Sequence, residues 1–227
     1  MKEPTIRFDE ESHTYWLKDR TVPSVTTVMG EILGQPYQAT EWHMRRGTAV
    51  HAYAALVGQG VAFEEPDERI RGQVEACRKF HAVVGGEILE VEKVYASVRY
   101  QFAGTSDLII RLNNKETFLV DWKATLTKQT EIQLGGYSIL SGVRKGVGVQ
   151  LNADGTFKMS PIYDLKRPAQ EFLSLLSAYN TKKRLSMLTD EEYRREANEL
   201  YAEQHGLRFR ESDGEIICPN CDKVFEA

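Results

Sequence analysis

The chain has 227 residues, 41% of them hydrophobic and 27% charged, and a formal net charge of −4 at pH 7. That is the composition of a soluble globular protein of one ordinary domain with at most a small appendage, and the absence of any run approaching ~20 apolar residues excludes a spanning helix. Nor is there the basic excess that usually marks a nucleic-acid binder, and three cysteines, Cys77, Cys218 and Cys221, are too few for a disulfide framework and suit a reducing compartment.

The opening segment, MKEPTIRFDEE, has no apolar signal core, so a cytoplasmic location is expected. Alternation predicts strands over 6–8 and 14–17. A helix should begin near Ser24, a good N-cap followed by the apolar stripe Val25, Val28, Met29 and Ile32. A long helix is expected over 38–57, carrying Trp42, Ala49, Val50, Tyr53 and Leu56. On it Gly47 and His51 are four residues apart and share a face, where a glycine would clear room beside the imidazole. Pro66 suits the first turn of a helix over 66–84, with Ile70, Val74, Cys77 and Phe80 or His81 inward and Cys77 acting as a small buried hydrophobe. Gly85-Gly86 breaks that helix. Residues 88–95 then alternate as a strand, with Glu90 and Glu92 on one face, and 98–102 alternates again.

Two apolar runs in 104–123, GTSDLIIRLNNKETFLVDWK, flank a polar loop and read as a β-hairpin. If Arg111 pairs with Thr117, Asp107 lies opposite Asp121. Lys123 shares their face, and Phe118, Val120 and Trp122 point to the other. Opposed like charges destabilise a sheet. A divalent cation explains them, since Mg²⁺ is typically held by one or two carboxylates with phosphate oxygens and water. The adjacent lysine completes a hydrolytic set.

Beyond Lys123 a helix is expected over 127–140 despite Gly135-Gly136, whose cost requires some close backbone approach. Gln133 and Tyr137 share one of its faces. Asp154-Gly155 between alternating runs predicts a hairpin of strands 146–151 and 157–163. Helices over 169–186 and 190–203 follow, the latter capped by Thr189 or Asp190. The terminal Cys218-Pro-Asn-Cys221 has the form of half a zinc knuckle. A structural zinc needs four ligands, so zinc held by Cys218 and Cys221 within one chain is not the expectation. The pairs Arg45-Arg46, Arg78-Lys79 and Arg194-Arg195 and the run Lys182-Lys183-Arg184 read as solvated helix faces unless they converge in space. There is no Gly-rich phosphate loop.

Five features occur in one order: RRGTAVH ending at His51, Glu92 on a strand, Gly104 to Asp107, Asp121-Trp122-Lys123, and QLGGY from Gln133 to Tyr137. Together they resemble the PD-(D/E)XK nuclease superfamily in its RecB-like branch, with the Cas4-like proteins and mitochondrial genome-maintenance exonucleases, and most nearly a phage-type exonuclease. His13-x-Tyr15 followed by Val22-Pro23-Ser24-Val25-Thr26 is also similar to the N-terminal segment of phage and RecB-like nucleases. The resemblance implies an α/β, restriction-endonuclease-like core with a mixed central sheet flanked by helices. It implies a nuclease domain over 1–205, with its motifs in 45–137, and a tail over 206–227.

It further implies Mg²⁺ or Mn²⁺ on His51, Asp107 and Asp121, with Glu92 as an additional acidic group and the Trp122 carbonyl as a further ligand. Asp107, Asp121 and Lys123 would be catalytic. Gln133 and Tyr137 would position the DNA, and Arg45 or Arg46 would contact flanking phosphates. The substrate would be single-stranded DNA or duplex ends, in recombination, repair or replication beside a partner protein from those processes, with no membrane. The iron–sulfur cluster of Cas4-like proteins needs four cysteines and is not expected. Two other readings stay open: a nuclease-fold subunit that binds DNA without cutting it, and a zinc-linked adaptor centred on the tail.

Overall fold

The structure is a computed structural model and describes residues 6–9, 12–34, 41–187, 190–210, 215–217 and 224–225. Contacts divide the chain into Met1–Leu176 and Ser177–Ala227.

In the first unit, β1 (Ile6–Asp9), β2 (Thr14–Leu17) and β3 (Arg20–Val22) form an antiparallel sheet, the third strand being one that alternation did not reveal. Tyr15, Leu17 and Val22 bury one face of it against Ala103, with Val94 and Ala96 alongside. Ser24 caps α1 (Val25–Leu33), its Oγ accepting the Thr27 N–H at 2.9 Å.

The next helix, α2 (Glu41–Gln59), carries Val50 and Ala54 inward, but Trp42 is 45% exposed and packs on its own helix beneath the Arg46 guanidinium, 4.7 Å from the ring centre. The third, α3 (Glu68–Val84), starts later than Pro66 because Asp67 is the cap, its carboxylate accepting the Arg69 N–H at 2.9 Å.

The central sheet runs in the order β4 (Glu87–Ser97), β5 (Phe102–Arg111), β6 (Thr117–Lys123), β7 (Lys145–Leu151), β8 (Phe157–Met159), and β9 (Tyr163–Asp164) also pairs with β7. Only β6 and β7 are parallel, because α4 (Thr130–Ser141) crosses between them, so the sheet is mixed. Residues 98–101 are the turn between β4 and β5 and not a strand, with the Gln101 N–H closing onto the Ser97 carbonyl at 2.8 Å. The expected strand 157–163 is interrupted at Pro161, which has no N–H to give to β7.

Helices cover both faces. On one side Val50, Ala54, Ile70, Cys77 and Phe80 pack against Leu108, Ile110, Phe118, Val120 and Trp122, and the rings of Phe80 and Trp122 meet edge to face at 5.1 Å. On the other side lie α1, α4 and the start of α5 (Lys166–Met187), with Phe172 against Phe102 at 5.0 Å. The glycine pair in α4 has its explanation here: a Cβ on Gly135 would lie 2.3 Å from the Pro168 carbonyl carbon, and one on Gly136 would lie 2.8 Å from a Val25 methyl. The backbones of α4 and α5 touch at that point.

The second unit holds the end of α5, α6 (Asp190–Gln204) and a small antiparallel sheet of β10 (Arg208–Arg210), β11 (Glu215–Ile217) and β12 (Val224–Phe225), with Ala202 and Ile217 buried. Cys218 and Cys221 lie outside the described residues, as does Thr189. No described helix is long and apolar enough to cross a membrane.

Candidate metal centre

The β5–β6 ladder has the expected register, Leu108 facing Val120 and Arg111 facing Thr117. The paired ladder ends at Leu108 and Val120, one step short of Asp107 and Asp121. There Asp107 Oδ2 accepts the Trp122 N–H at 2.7 Å, so a carboxylate takes the role of a ladder carbonyl and is held rigidly at the point where the strands part.

On the far side of β5, Val91 faces Leu108 and Lys93 faces Ser106, which sets Glu92 beside Asp107. Glu92 has φ +45°, a left-handed conformation that is rare for such a side chain, and the ladder carries a bulge between Ile88 and Glu90. Glu90, its neighbour in the expected alternation, instead accepts a hydrogen bond from the Tyr95 hydroxyl. Glu92, Asp107 and Asp121 therefore sit in a row across three strands. From above, α2 brings His51, whose Nδ1 is 3.3 Å from Asp107 Oδ1.

Among the described residues, one ligand atom each from His51, Glu92 and Asp107 lie within 4.8 Å of one another. An imidazole and two carboxylates at that spacing fit a divalent cation. Asp121 stands just outside this trio: its Oδ2 is 2.7 Å from Lys123 Nζ. Lys123 also donates to Gln133 Oε1 at 2.8 Å. The Gln133 amide in turn donates to Asp121 Oδ1 at 3.4 Å and to the Tyr137 hydroxyl at 3.2 Å. Gln133 thus braces the lysine and the aspartate directly, and Tyr137 braces Gln133.

Protonation follows from this crowding. Burial by itself would lower the His51 pKa, but the charge and hydrogen bond of Asp107 and the charge of Glu92 outweigh it and raise the imidazole to about 9. Burial would raise Asp107, yet His51, Lys123 and the Trp122 N–H together hold it below the usual carboxylate range. For Asp121 burial wins: with repulsion from Asp107 it exceeds the attraction of Lys123, and the carboxyl is raised to about 6. Without a cation, the His51 imidazolium offsets the charge of Asp107 and Glu92, and Lys123 that of Asp121.

His51, Glu92, Asp107, Asp121, Lys123, Gln133 and Tyr137 all line one cavity of about 780 Å³. Arg46 lines a second, smaller cavity of about 220 Å³, which shares Gly47, His51 and Lys123 with the first; Arg45 lines neither. Gly47 does not relieve a crowded contact, since a Cβ there would meet nothing within 4 Å; it borders open space. Sequence reading missed the aromatic wall that Phe8, His13 and Tyr15 add to the same cavity, with the Tyr15 hydroxyl 2.8 Å from Thr105 Oγ1. Only the His-x-Tyr spacing hinted at it.

No family model and no curated protein matches the sequence. Solved structures do. The alkaline exonuclease LHK-Exo from Laribacter hongkongensis is 13% identical, with 73% of this chain and 94% of that one covered at a TM-score of 0.36. A phage-related exonuclease from Haemophilus somnus 129PT is 12% identical, covering 74% and 96% at a TM-score of 0.37.

The structural neighbours are alkaline and phage-related exonucleases.

Proposed function

We propose that the chain is a Mg²⁺- or Mn²⁺-dependent exonuclease that hydrolyses DNA phosphodiester bonds. The observation that carries this is the convergence, in one cavity, of the His51–Glu92–Asp107 trio with the Asp121–Lys123 pair.

His51, Glu92 and Asp107 would hold the cation, with Asp121 at its edge. When bound, such an ion lowers the pKa of a water and polarises the scissile phosphate. The remaining work falls to the chain. The Trp122 N–H fixes Asp107. Lys123, steered by Gln133, orients the attacking water and donates to the phosphoryl oxygens where charge develops. Gln133 and Tyr137 border the path of the strand, and Arg45 and Arg46 on α2 are the candidates for flanking phosphates. Products would carry 5′-phosphate and 3′-hydroxyl ends, as suits DNA recombination, repair or replication.

The test is cleavage of end-labelled single-stranded and duplex DNA, linear and closed-circular, with Mg²⁺, Mn²⁺ or EDTA. Metal-loaded wild type should degrade linear DNA and spare circles, while Lys123→Ala and Asp121→Ala should each lose at least ~100-fold in rate. Undiminished cutting by either variant would overturn the assignment. Binding without cutting under any metal would make the chain a DNA-binding subunit.

A further inference from the structure

The N-terminal sheet supplies a wall of the cavity that the proposed chemistry does not use. Phe8 and Tyr15 are register partners on β1 and β2, their rings stacked at 4.4 Å with an interplanar angle of 24°. His13 stands edge-on to both, at 5.2 Å from Phe8 and 5.8 Å from Tyr15. Tyr15 is the anchor, 2% exposed and tied to Thr105, two residues from Asp107 along β5. Phe8 packs on the small cluster around Tyr15 yet stays half-buried, and His13 is exposed, so both rings keep surface open to the cavity.

His13 has φ +50°, a conformation that costs a non-glycine residue energy and persists where the surroundings hold it. All three rings line the same cavity as His51, Glu92, Asp107 and Lys123.

This wall is aromatic and carries neither lysine nor arginine, so it does not suit a phosphate. Its faces suit a flat π system. We propose that Phe8 and His13 form a stacking site for one unpaired nucleobase, next to the phosphate held at the acidic row. This rests on the nuclease reading and narrows it. A base in a duplex has both faces covered by its neighbours, so only a single strand or a frayed end can enter. Stacking also offers affinity that is tolerant of sequence and does not depend on net positive charge, which this chain of net charge −4 lacks.

The experiment uses the full chain with Ca²⁺ in place of Mg²⁺ and oligodeoxynucleotides carrying 2-aminopurine at successive positions from the end. Stacking should quench fluorescence at one position. The Phe8→Leu/His13→Asn double variant keeps apolar bulk at position 8 and a residue tolerant of positive φ at position 13; it should lose the quenching and raise Kd by about tenfold. An abasic residue at the quenched position should weaken binding about tenfold in wild type and hardly at all in the variant. Should the variant fail to fold, the abasic comparison in wild type decides.

Quenching that is unchanged in the variant, or an abasic strand bound as well as the intact one, overturns the stacking site. If wild type cuts DNA but shows neither signal, this site fails alone. If both signals appear and no metal supports cutting, the nuclease reading fails and the base site stands.

Discussion

Asp121 shows how strongly single residues at this site oppose folding. Its folded-state pKa, about 6, lies above the ordinary 3.8, so its contribution to stability is present below about pH 3.8 and is lost as pH rises through 6. Above that pH the folded protein carries a buried carboxylate at a net cost to stability. Asp121→Asn should therefore melt higher than wild type in EDTA at pH 8, with the gap closing near pH 4, while cleavage is lost. A lower melting temperature at pH 8 would contradict the account. His51 runs in the same sense at higher pH: raised to about 9, it contributes stability below pH 6.5 that disappears as pH rises through 9. A metal requires the neutral imidazole, so binding at pH 7.5 should release about one proton, and affinity should climb toward pH 9. Titration calorimetry in two buffers of different ionisation heat would measure that proton directly.

At the scale of elements, α2 and α4 each carry glycine for opposite reasons. Gly135→Ala would force its Cβ to 2.3 Å from the backbone of α5, so it should destabilise by several kcal/mol despite the better helix propensity of alanine. Gly47→Ala meets open space and should be neutral or stabilising by up to ~1 kcal/mol. Urea denaturation of the two variants should move in opposite directions. The sequence placed both glycines in helices and asked for a close backbone approach at Gly135-Gly136, but it could not say that the neighbour was the start of α5, or that Gly47 borders open space. The hairpin was legible to the residue, because the polar loop and the alternation of Phe118, Val120 and Trp122 admit one register. The bulge near Leu89 and the left-handed backbone at Glu92 were not, since no local residue pattern marks them.

For the molecule as a whole, the proposed function asks a protein of net charge −4 to bind a polyanion at a site with few cations. Among the described residues lining the two cavities, the lysines and arginines are Arg46 and Lys123. Two neutralised phosphates on a single strand give a slope of log K against log salt near −1.4. Measured binding in EDTA with a slope steeper than about −3 would mean the strand runs over another face. Divalent cation at ~100 times its Kd should stabilise the protein by about 2.7 kcal/mol, seen as a raised melting temperature that Asp107→Ala abolishes.

By itself the sequence determined the hairpin, the register of its paired residues and a lysine two residues after Asp121, because strand alternation and loop chemistry are local. It also determined that His51 shares a helix face with Gly47. Only the tertiary structure decided that Glu92, which the resemblance already names, comes within 4.8 Å of His51 and Asp107, that Gln133 braces Lys123, and that an aromatic wall lines the same cavity. Those relations join residues far apart in the chain, and they depend on a backbone irregularity and on helix packing that no periodicity records.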